Sequence, residues 1–235
     1  MSFADVSDRL TRALGLDLPP VALAFLDAPP PGVAVDDALA PSACSFWRRA
    51  EAQTVYAPAK AHYHCQIGAH VMGFDLPPQV GDELGAVIGQ VVGNGYIGAE
   101  EPANLPRRAE PRAGILYGPL ADFPAAPDAV LLWLTPVQAM IWSEASGGAA
   151  WGAGVPSAAF GRPACAAVPA SLDAGRPVLS LGCIGMRTFT AVPADRMLAV
   201  APGAGIAAVA EAVAAAAELN VGMRGYYEGR LAAVS

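Results

Sequence analysis

Hydrophobic and polar residues follow two patterns along the chain, with helical spacing in longer segments and short unbroken apolar runs elsewhere. In residues 1–20, charged residues such as Asp8 and Arg9 separate apolar positions, which predicts an amphipathic helix. The run PPVALAF at 19–25 is wholly apolar after its two prolines, which predicts a strand buried on both faces. The chain is therefore expected to begin with a helix and a core strand.

The rest of the chain alternates between strand-like and helix-like segments. The strand-like segments are 54–64, broken at Pro58, and 113–120, 128–135 and 195–202. The helix-like segments are 44–53, 66–73, 81–93, 136–148 and 205–220. This alternation predicts an α/β fold, with α+β as the open alternative.

A polar segment near the middle divides the chain. NLPRRAEPRAG at 104–114 is rich in proline and arginine, which is typical of an exposed connection. We therefore expect a first half at 1–105 and a second half at 106–235. The two halves form either separate units or one compact domain.

Each half contains the same order of short motifs around a pair of cysteines. PSAC at 41–44 precedes HCQIG at 64–68, and RPAC at 162–165 precedes GCIGMR at 182–187. We interpret this order as an internal duplication with a pseudo-twofold axis, in which each half is a small mixed sheet flanked by helices. Chance matches in an alanine-rich chain are the open alternative.

Charge and cysteine usage limit the expected partners and location. The net charge is −7 and the only lysine is Lys60, so we expect no surface for nucleic acid or for a membrane. The N-terminus lacks the order of a signal peptide, and no uninterrupted apolar run reaches the roughly 18–20 residues of a membrane span. We predict a cytoplasmic protein whose cysteines are thiols or metal ligands rather than structural disulfides.

The four cysteines carry the main chemical prediction. Cys65 and Cys183 each lie where a predicted strand gives way to a helix, and the helix dipole there favours a thiolate. With Cys44 and Cys165 they could ligate an iron–sulfur cluster or zinc. The wide spacing within each pair argues against zinc, whose cysteines usually lie about two to four residues apart. Simple packing of buried cysteines is the alternative.

Two histidines precede Cys65. His62 and His64 alternate along the predicted strand, so they would share one of its faces. Such a pair predicts a metal or acid–base site, and haem iron is a further option although no Cys-x-x-Cys-His motif occurs. A packed or surface position for each ring is the alternative.

Glycines and an arginine near the cysteines predict contacts to a bulky ligand. Gly68 follows Cys65, while Gly182 and Gly185 flank Cys183, and glycine allows the backbone to approach a ligand closely. Arg187 would lie one helical turn beyond Cys183 and could pair with a negative cluster or substrate.

These motifs, together with CSFWRRA and DRMLAVAPG, resemble the uncharacterised ArCR family, domain of unknown function 169. The resemblance covers roughly residues 19–215, and SLGCIGMR is its most specific block. It implies a shared fold unit and importance of the cysteines, but no reaction. The histidines before Cys65 are not part of what the resemblance implies.

Three hypotheses follow for function. The leading one is a cytoplasmic metal-cofactor protein, with an iron–sulfur cluster foremost, in electron transfer or redox catalysis. The second is a metal-free oxidoreductase in which Cys65 and Cys183 cycle between dithiol and disulfide. The third is a small-molecule binding module in which the cysteines pack. The expected partner is a small molecule or a redox protein, and a homo-oligomer is left open.

Overall fold

The computed structural model describes residues 1–147 and 159–234. Its strands are β1 Val21–Leu26, β2 Ala34–Val35, β3 Val55–Pro58, β4 Gly114–Pro119, β5 Ala129–Leu134, β6 Ala159–Phe160, β7 Val178–Ser180 and β8 Met197–Pro202. Its α-helices are α1 Phe3–Leu14, α2 Ser45–Arg49, α3 Gln66–Val71, α4 Pro78–Gly93, α5 Pro136–Ala145, α6 Ala167–Ala174, α7 Ile184–Thr190 and α8 Ile206–Ala232. Short 3₁₀ helices lie at Ala59–His62, Glu101–Asn104, Leu120–Asp122, Ala164–Ala166 and Gly203–Gly205.

These strands form one mixed sheet in the order β2-β3-β4-β1-β5-β8-β7-β6. β2 pairs with β3, and β6 with β7, in parallel. The other neighbouring strands are antiparallel, including the central pair of β1 and β5, where Val21 lies opposite Leu131. The predicted α/β class, with a mixed sheet flanked by helices, is confirmed.

The sheet is apolar on both faces. Successive residues of a strand point to opposite faces, and in β1 the side chains of Val21, Leu23 and Phe25 pack into one core while Ala22 and Ala24 pack into another. The unbroken apolar run of β1 therefore reflects burial on both sides, as predicted. We call the side of Val21 the cysteine face, because its core includes buried cysteines, and the side of Ala22 the helix face.

The helix face is covered by α1, α5 and α8. Leu10 of α1, Trp142 of α5 and Val213 of α8 belong to one buried cluster with the strand residues of that face. A capping box starts α1: the Ser2 hydroxyl accepts a hydrogen bond from the N–H of Asp5 at 3.1 Å, and the Asp5 carboxylate accepts one from the N–H of Ser2 at 2.9 Å. The capping box and the packing of Leu10 on the sheet therefore both favour the helix α1.

The cysteine face is covered by shorter helices. Phe46 of α2, Val71 of α3, Val168 of α6 and Met186 of α7 are buried in its core. The longer helix α4 lies further out and buries only Leu84. Coverage of this face is therefore less complete than that of the helix face.

The last helix is long and apolar. The stretch Gly203–Ala232 is long and apolar enough, by length and composition, to cross a membrane, and its mean hydropathy is 1.5. Glu211 and Glu218 interrupt it, which is why the sequence shows no unbroken apolar run. Its first turns pack on the helix face through residues such as Val213. Within residues 1–147 and 159–234 it is the one helix of this length and hydropathy, and the shorter stretch Ala164–Ala174 is also apolar.

The predicted halves share one sheet. The prediction of two small sheets is wrong, because β1 and β5 pair at the centre and join both groups of strands. β4 follows the predicted boundary at 105–106 yet pairs with β1 and β3, which precede it. The strand order reads β2-β3-β4-β1 and then β5-β8-β7-β6, with a parallel pair at each outer edge. This order suits a duplicated unit, and the duplication itself stays a prediction.

Three predicted elements differ most at their ends. The helix predicted over 44–53 covers only Ser45–Arg49. The extended segment predicted over 54–64 is a strand only to Pro58, after which the chain turns into a 3₁₀ helix. The last helix continues past residue 220 to Ala232. The predicted end of the helix at residue 148 lies outside the described residues, as do 149–158 of the second half.

Candidate functional site

All four cysteines line one cavity on the cysteine face of the sheet. Its volume is about 540 Å³, within the roughly 300–1,000 Å³ that is usual for small-molecule sites. Its remaining walls come mainly from α4, from the segment 96–106 that follows α4, and from α7. The sequence placed these cysteines in two distant pairs, and the fold brings both pairs to the same space.

Local structure places the thiols at or near the starts of short helices. Cys44, Cys65 and Cys183 are the N-cap residues of α2, α3 and α7, while Cys165 lies in the 3₁₀ helix that leads into α6. The sulfur of Cys183 accepts a hydrogen bond from the N–H of Met186 at 3.4 Å. The predicted strand-to-helix junction is confirmed at Cys183, whereas a 3₁₀ helix separates β3 from Cys65.

The thiols fall into two classes by burial. Cys44 and Cys165, the inner thiols, are buried, whereas Cys65 and Cys183, the outer thiols, are half-buried. Burial raises the pKa of Cys44 to about 12, and the two outer thiols act in the same direction. Burial also raises the pKa of Cys165 well above its usual value, and the three other cysteines add to this effect. The inner thiols therefore stay protonated at neutral pH and behave as small apolar groups.

The thiols share a cavity without forming a metal-binding group. Among residues 1–147 and 159–234, no three or more histidine, cysteine, aspartate or glutamate side chains are placed to hold a metal ion. All four cysteines are free rather than joined in disulfides. The predicted metal-cofactor function, with an iron–sulfur cluster foremost, is therefore wrong. The dithiol hypothesis for Cys65 and Cys183 stays a prediction.

The histidines do not share a strand face. His62 is fully buried at the end of a 3₁₀ helix, where Nδ1 donates to the carbonyl of Pro58 at 3.1 Å and Nε2 accepts from the hydroxyl of Tyr117 at 3.0 Å. Burial lowers the pKa of His62 to about 4. His64 lies in the following turn and is exposed. His62 is thus a hydrogen-bonded core residue with both ring nitrogens engaged, and His64 is a surface residue.

The three glycines near the cysteines have different structural roles. A Cβ on Gly68 would lie 2.8 Å from the Cβ of Ala43 and 2.9 Å from the sulfur of Cys65, so this glycine lets α3 approach the segment before α2. Gly182 has a φ of 84°, which disfavours other residues, and a Cβ there would meet the side chain of Met186 at 2.5 Å. Gly185 lines the cavity and has open space around it. Gly185 therefore best fits the predicted contact with a ligand.

Arg187 is engaged with the backbone. Its guanidinium donates to the carbonyls of Leu181 at 2.8 Å, Arg196 at 3.0 Å and Ala194 at 3.1 Å. These bonds tie both ends of α7 to the start of β8. The side chain does not line the cavity, so the structure assigns it to holding α7 in place.

The apolar wall of the cavity was not singled out from the sequence. Leu84, Val87, Ile88 and Val91 of α4 all line the cavity and repeat at the spacing of one helix face. This spacing is visible in the sequence, but it also fits a helix that packs on a core. The ring of Tyr96 and the side chain of Arg162 also line the cavity, and no local motif marks either of them.

Comparison with known proteins gives a family but no reaction. No curated protein and no solved structure matches the chain. The sequence profile of the family described as uncharacterised ArCR, domain of unknown function 169, matches residues 9–212. This match includes all four cysteines, α4 and every strand of the sheet. The chain therefore belongs to the uncharacterised ArCR family, domain of unknown function 169.

Proposed function

We propose that the protein binds a small, mainly apolar molecule in the cysteine-lined cavity. The observation that carries this proposal is the position of α4. Its apolar stripe, Leu84, Val87, Ile88 and Val91, lines the cavity, and only Leu84 of the helix is buried. The helix covers a space, whereas α1, α5 and the first turns of α8 cover packed side chains.

The energetics of burial favour an apolar occupant. Fully burying a valine, leucine or isoleucine side chain stabilises by about 1.5–3 kcal/mol relative to leaving it in water. Val87, Ile88 and Val91 are only half-buried. An apolar molecule in the cavity would remove their remaining surface from water and so gain part of this free energy.

The thiols support the same choice of ligand. The inner thiols Cys44 and Cys165 are protonated at neutral pH because burial raises the pKa of each. They add no negative charge to the cavity, and their sulfurs offer polarisable contacts to an apolar surface. Phe189 and Ile184 of α7 extend the apolar lining toward solvent, since both side chains are exposed.

A neutral fluorescent probe tests the proposal. Nile red is expected to bind saturably to the wild-type protein, and Val87→Ser combined with Val91→Ser should weaken this binding by about tenfold, since each change removes apolar contact from the cavity wall. Val92→Ser is the matched control, because Val92 lies on the same helix without lining the cavity.

Two results would count against the cavity as a binding site. One is the absence of saturable binding by Nile red and by a panel of other apolar molecules. The other is an equal affinity of the probe for the Val87→Ser/Val91→Ser protein and the Val92→Ser protein.

We also propose a cytoplasmic location. The four free thiols and the net charge of −7 support it. Fractionation of cells that express the chain at its native level tests this location, and recovery of the chain in the membrane pellet would contradict it.

A further inference from the structure

The cationic side chain of Arg162 lines the cavity. The guanidinium of Arg162 lies 4.6 Å above the ring centroid of Tyr96, a cation–π arrangement. Both residues line the cavity, and the Arg162 side chain is 41% exposed. This position marks the mouth, where the cavity meets solvent. The ring of Tyr96 orients the guanidinium there.

The only carboxylate that lines the cavity within the described residues engages Arg162 loosely. Glu101 Oε1 lies 3.7 Å from the nearest guanidinium nitrogen of Arg162, whereas a charge-assisted hydrogen bond is about 2.7–2.9 Å long. The same oxygen accepts a hydrogen bond from the N–H of Gly98 at 2.8 Å. Glu101 therefore holds its own turn together, and it leaves room for a closer anion on Arg162.

The charged groups that line the cavity favour a ligand with one anionic group. Arg162 is the one cation among the described residues that line the cavity, and the inner thiols Cys44 and Cys165 carry no charge at neutral pH. A ligand with a buried charge would meet no partner at the thiols or along α4. A ligand with one anionic group at its end would meet Arg162.

We infer that the ligand is an amphiphile with an apolar body and one terminal carboxylate. Its body lies between α4 and the cysteines, and its carboxylate binds the guanidinium of Arg162 at the mouth, where the planar fork of arginine matches two carboxylate oxygens. Glu101 is displaced from Arg162 when the ligand enters. This inference rests on the proposed function, because it names the class of molecule that the same cavity takes.

A pair of matched probes tests the inference. cis-Parinaric acid is a fluorescent fatty acid, and its methyl ester has the same apolar chain without the charge. The wild-type protein should bind the acid about tenfold more tightly than the ester, as expected for one partly exposed charge-assisted contact. Added NaCl should weaken binding of the acid more than that of the ester.

Substitutions at the mouth of the cavity test whether Arg162 binds the carboxylate. Arg162→Gln should weaken binding of the acid about tenfold and leave the ester unchanged, whereas Glu101→Gln should strengthen binding of the acid because it removes the competing anion. Arg176→Gln is the matched control, since Arg176 is exposed and does not line the cavity. Circular dichroism of each variant checks that the fold is retained.

The possible outcomes distinguish failure of this inference from failure of the proposed function. Equal affinity of acid and ester in the wild-type protein, or an equal loss for both in Arg162→Gln, overturns the inference while saturable binding of either probe still supports the proposed function. Failure of both probes and of Nile red to bind overturns the proposed function and the inference together.

Discussion

Helices cover both faces of the sheet, but they cover packed side chains on the helix face and a cavity on the cysteine face. On the helix face, Val6 and Leu10 of α1 are buried in one core with the strands and with α8. On the cysteine face, α4 also has an apolar stripe at helical spacing, yet all of that stripe lines a cavity. The comparison shows that an amphipathic pattern predicts a helix and its buried side, but not what fills the space beneath it.

The same contrast holds among the four thiols. The inner thiols belong to the core of the cysteine face, where burial raises their pKa values, while the outer thiols are only half-buried. Inner and outer thiols occur once each in both predicted halves of the chain. Position within the fold, rather than neighbouring sequence, decides which chemistry each thiol can support.

The largest expected effect comes from the helix face. Leu10→Ala should lower the free energy of unfolding by about 2–5 kcal/mol, because it leaves a void under α1 at a site that is fully buried. Urea unfolding measures this loss. In the absence of urea, the variant should bind Nile red with wild-type affinity, since Leu10 lies on the opposite side of the sheet from the cavity.

The cysteine face should show the reverse behaviour. Val87→Ser is expected to change the free energy of unfolding by less than about 1 kcal/mol, because the side chain is only half-buried. The same change should weaken binding of the probe. If Val87→Ser lowers the free energy of unfolding as much as Leu10→Ala does, α4 is a core helix and the two faces do not differ in this way.

His62 should make the cysteine face sensitive to acid. Burial lowers the pKa of His62 from 6.5 to about 4, so the folded protein binds this proton only at lower pH than the unfolded chain does. The stabilisation is present above pH 6.5 and is lost as pH falls toward 4, with a total near 3 kcal/mol and about 2 kcal/mol of it between pH 7 and pH 5.

Unfolding by urea across this pH range measures the effect. His62→Gln is the matched variant, because glutamine can donate and accept hydrogen bonds without titrating. Its free energy of unfolding should vary less between pH 7 and pH 5 than that of the wild-type protein. Identical pH dependence in the two proteins would show that His62 is not the titrating group.

Serine substitutions distinguish the inner from the outer thiols. Cys165→Ser should lower the free energy of unfolding by about 1–3 kcal/mol, because it places a hydroxyl in a buried site. Cys183→Ser should be neutral or slightly stabilising, since Cys183 already caps α7 through the N–H of Met186 and serine is a preferred N-cap residue. Thermal unfolding of the two variants gives the comparison, and an equal loss in both would remove the distinction.

Much of the fold could be predicted because its signals are local. The apolar runs of β1, β4, β5 and β8 identified strands, and helical spacing identified α1, α4 and α5. The break at Pro58 was predicted, but the extended chain expected beyond it was wrong, because a 3₁₀ helix follows in which His62 contacts residues far along the chain, such as Tyr117. Chain order alone could not show that β1 and β5 join the predicted halves in one sheet.

The site was predicted in part. Cys44, Cys65, Cys165 and Cys183 were named from the sequence, and all four line the cavity. The metal-cofactor function inferred from them was wrong, because the ligands of a metal must converge on one point and short motifs carry no information about distances between segments. Arg162 was not identified from the sequence. What marks it is its contact with the ring of Tyr96, a residue far away along the chain.

The sequence by itself determined which segments are strands and helices, since apolar spacing and capping residues act over a few neighbouring positions. Ser2 and Asp5 at the start of α1 are one example, because their capping box needs no other part of the chain. Only the tertiary structure decided that the thiols share a cavity, that His62 is a neutral core residue and that α4 covers open space. Each of these depends on contacts between residues far apart in sequence, and burial at those contacts sets charge, pKa and access to ligand.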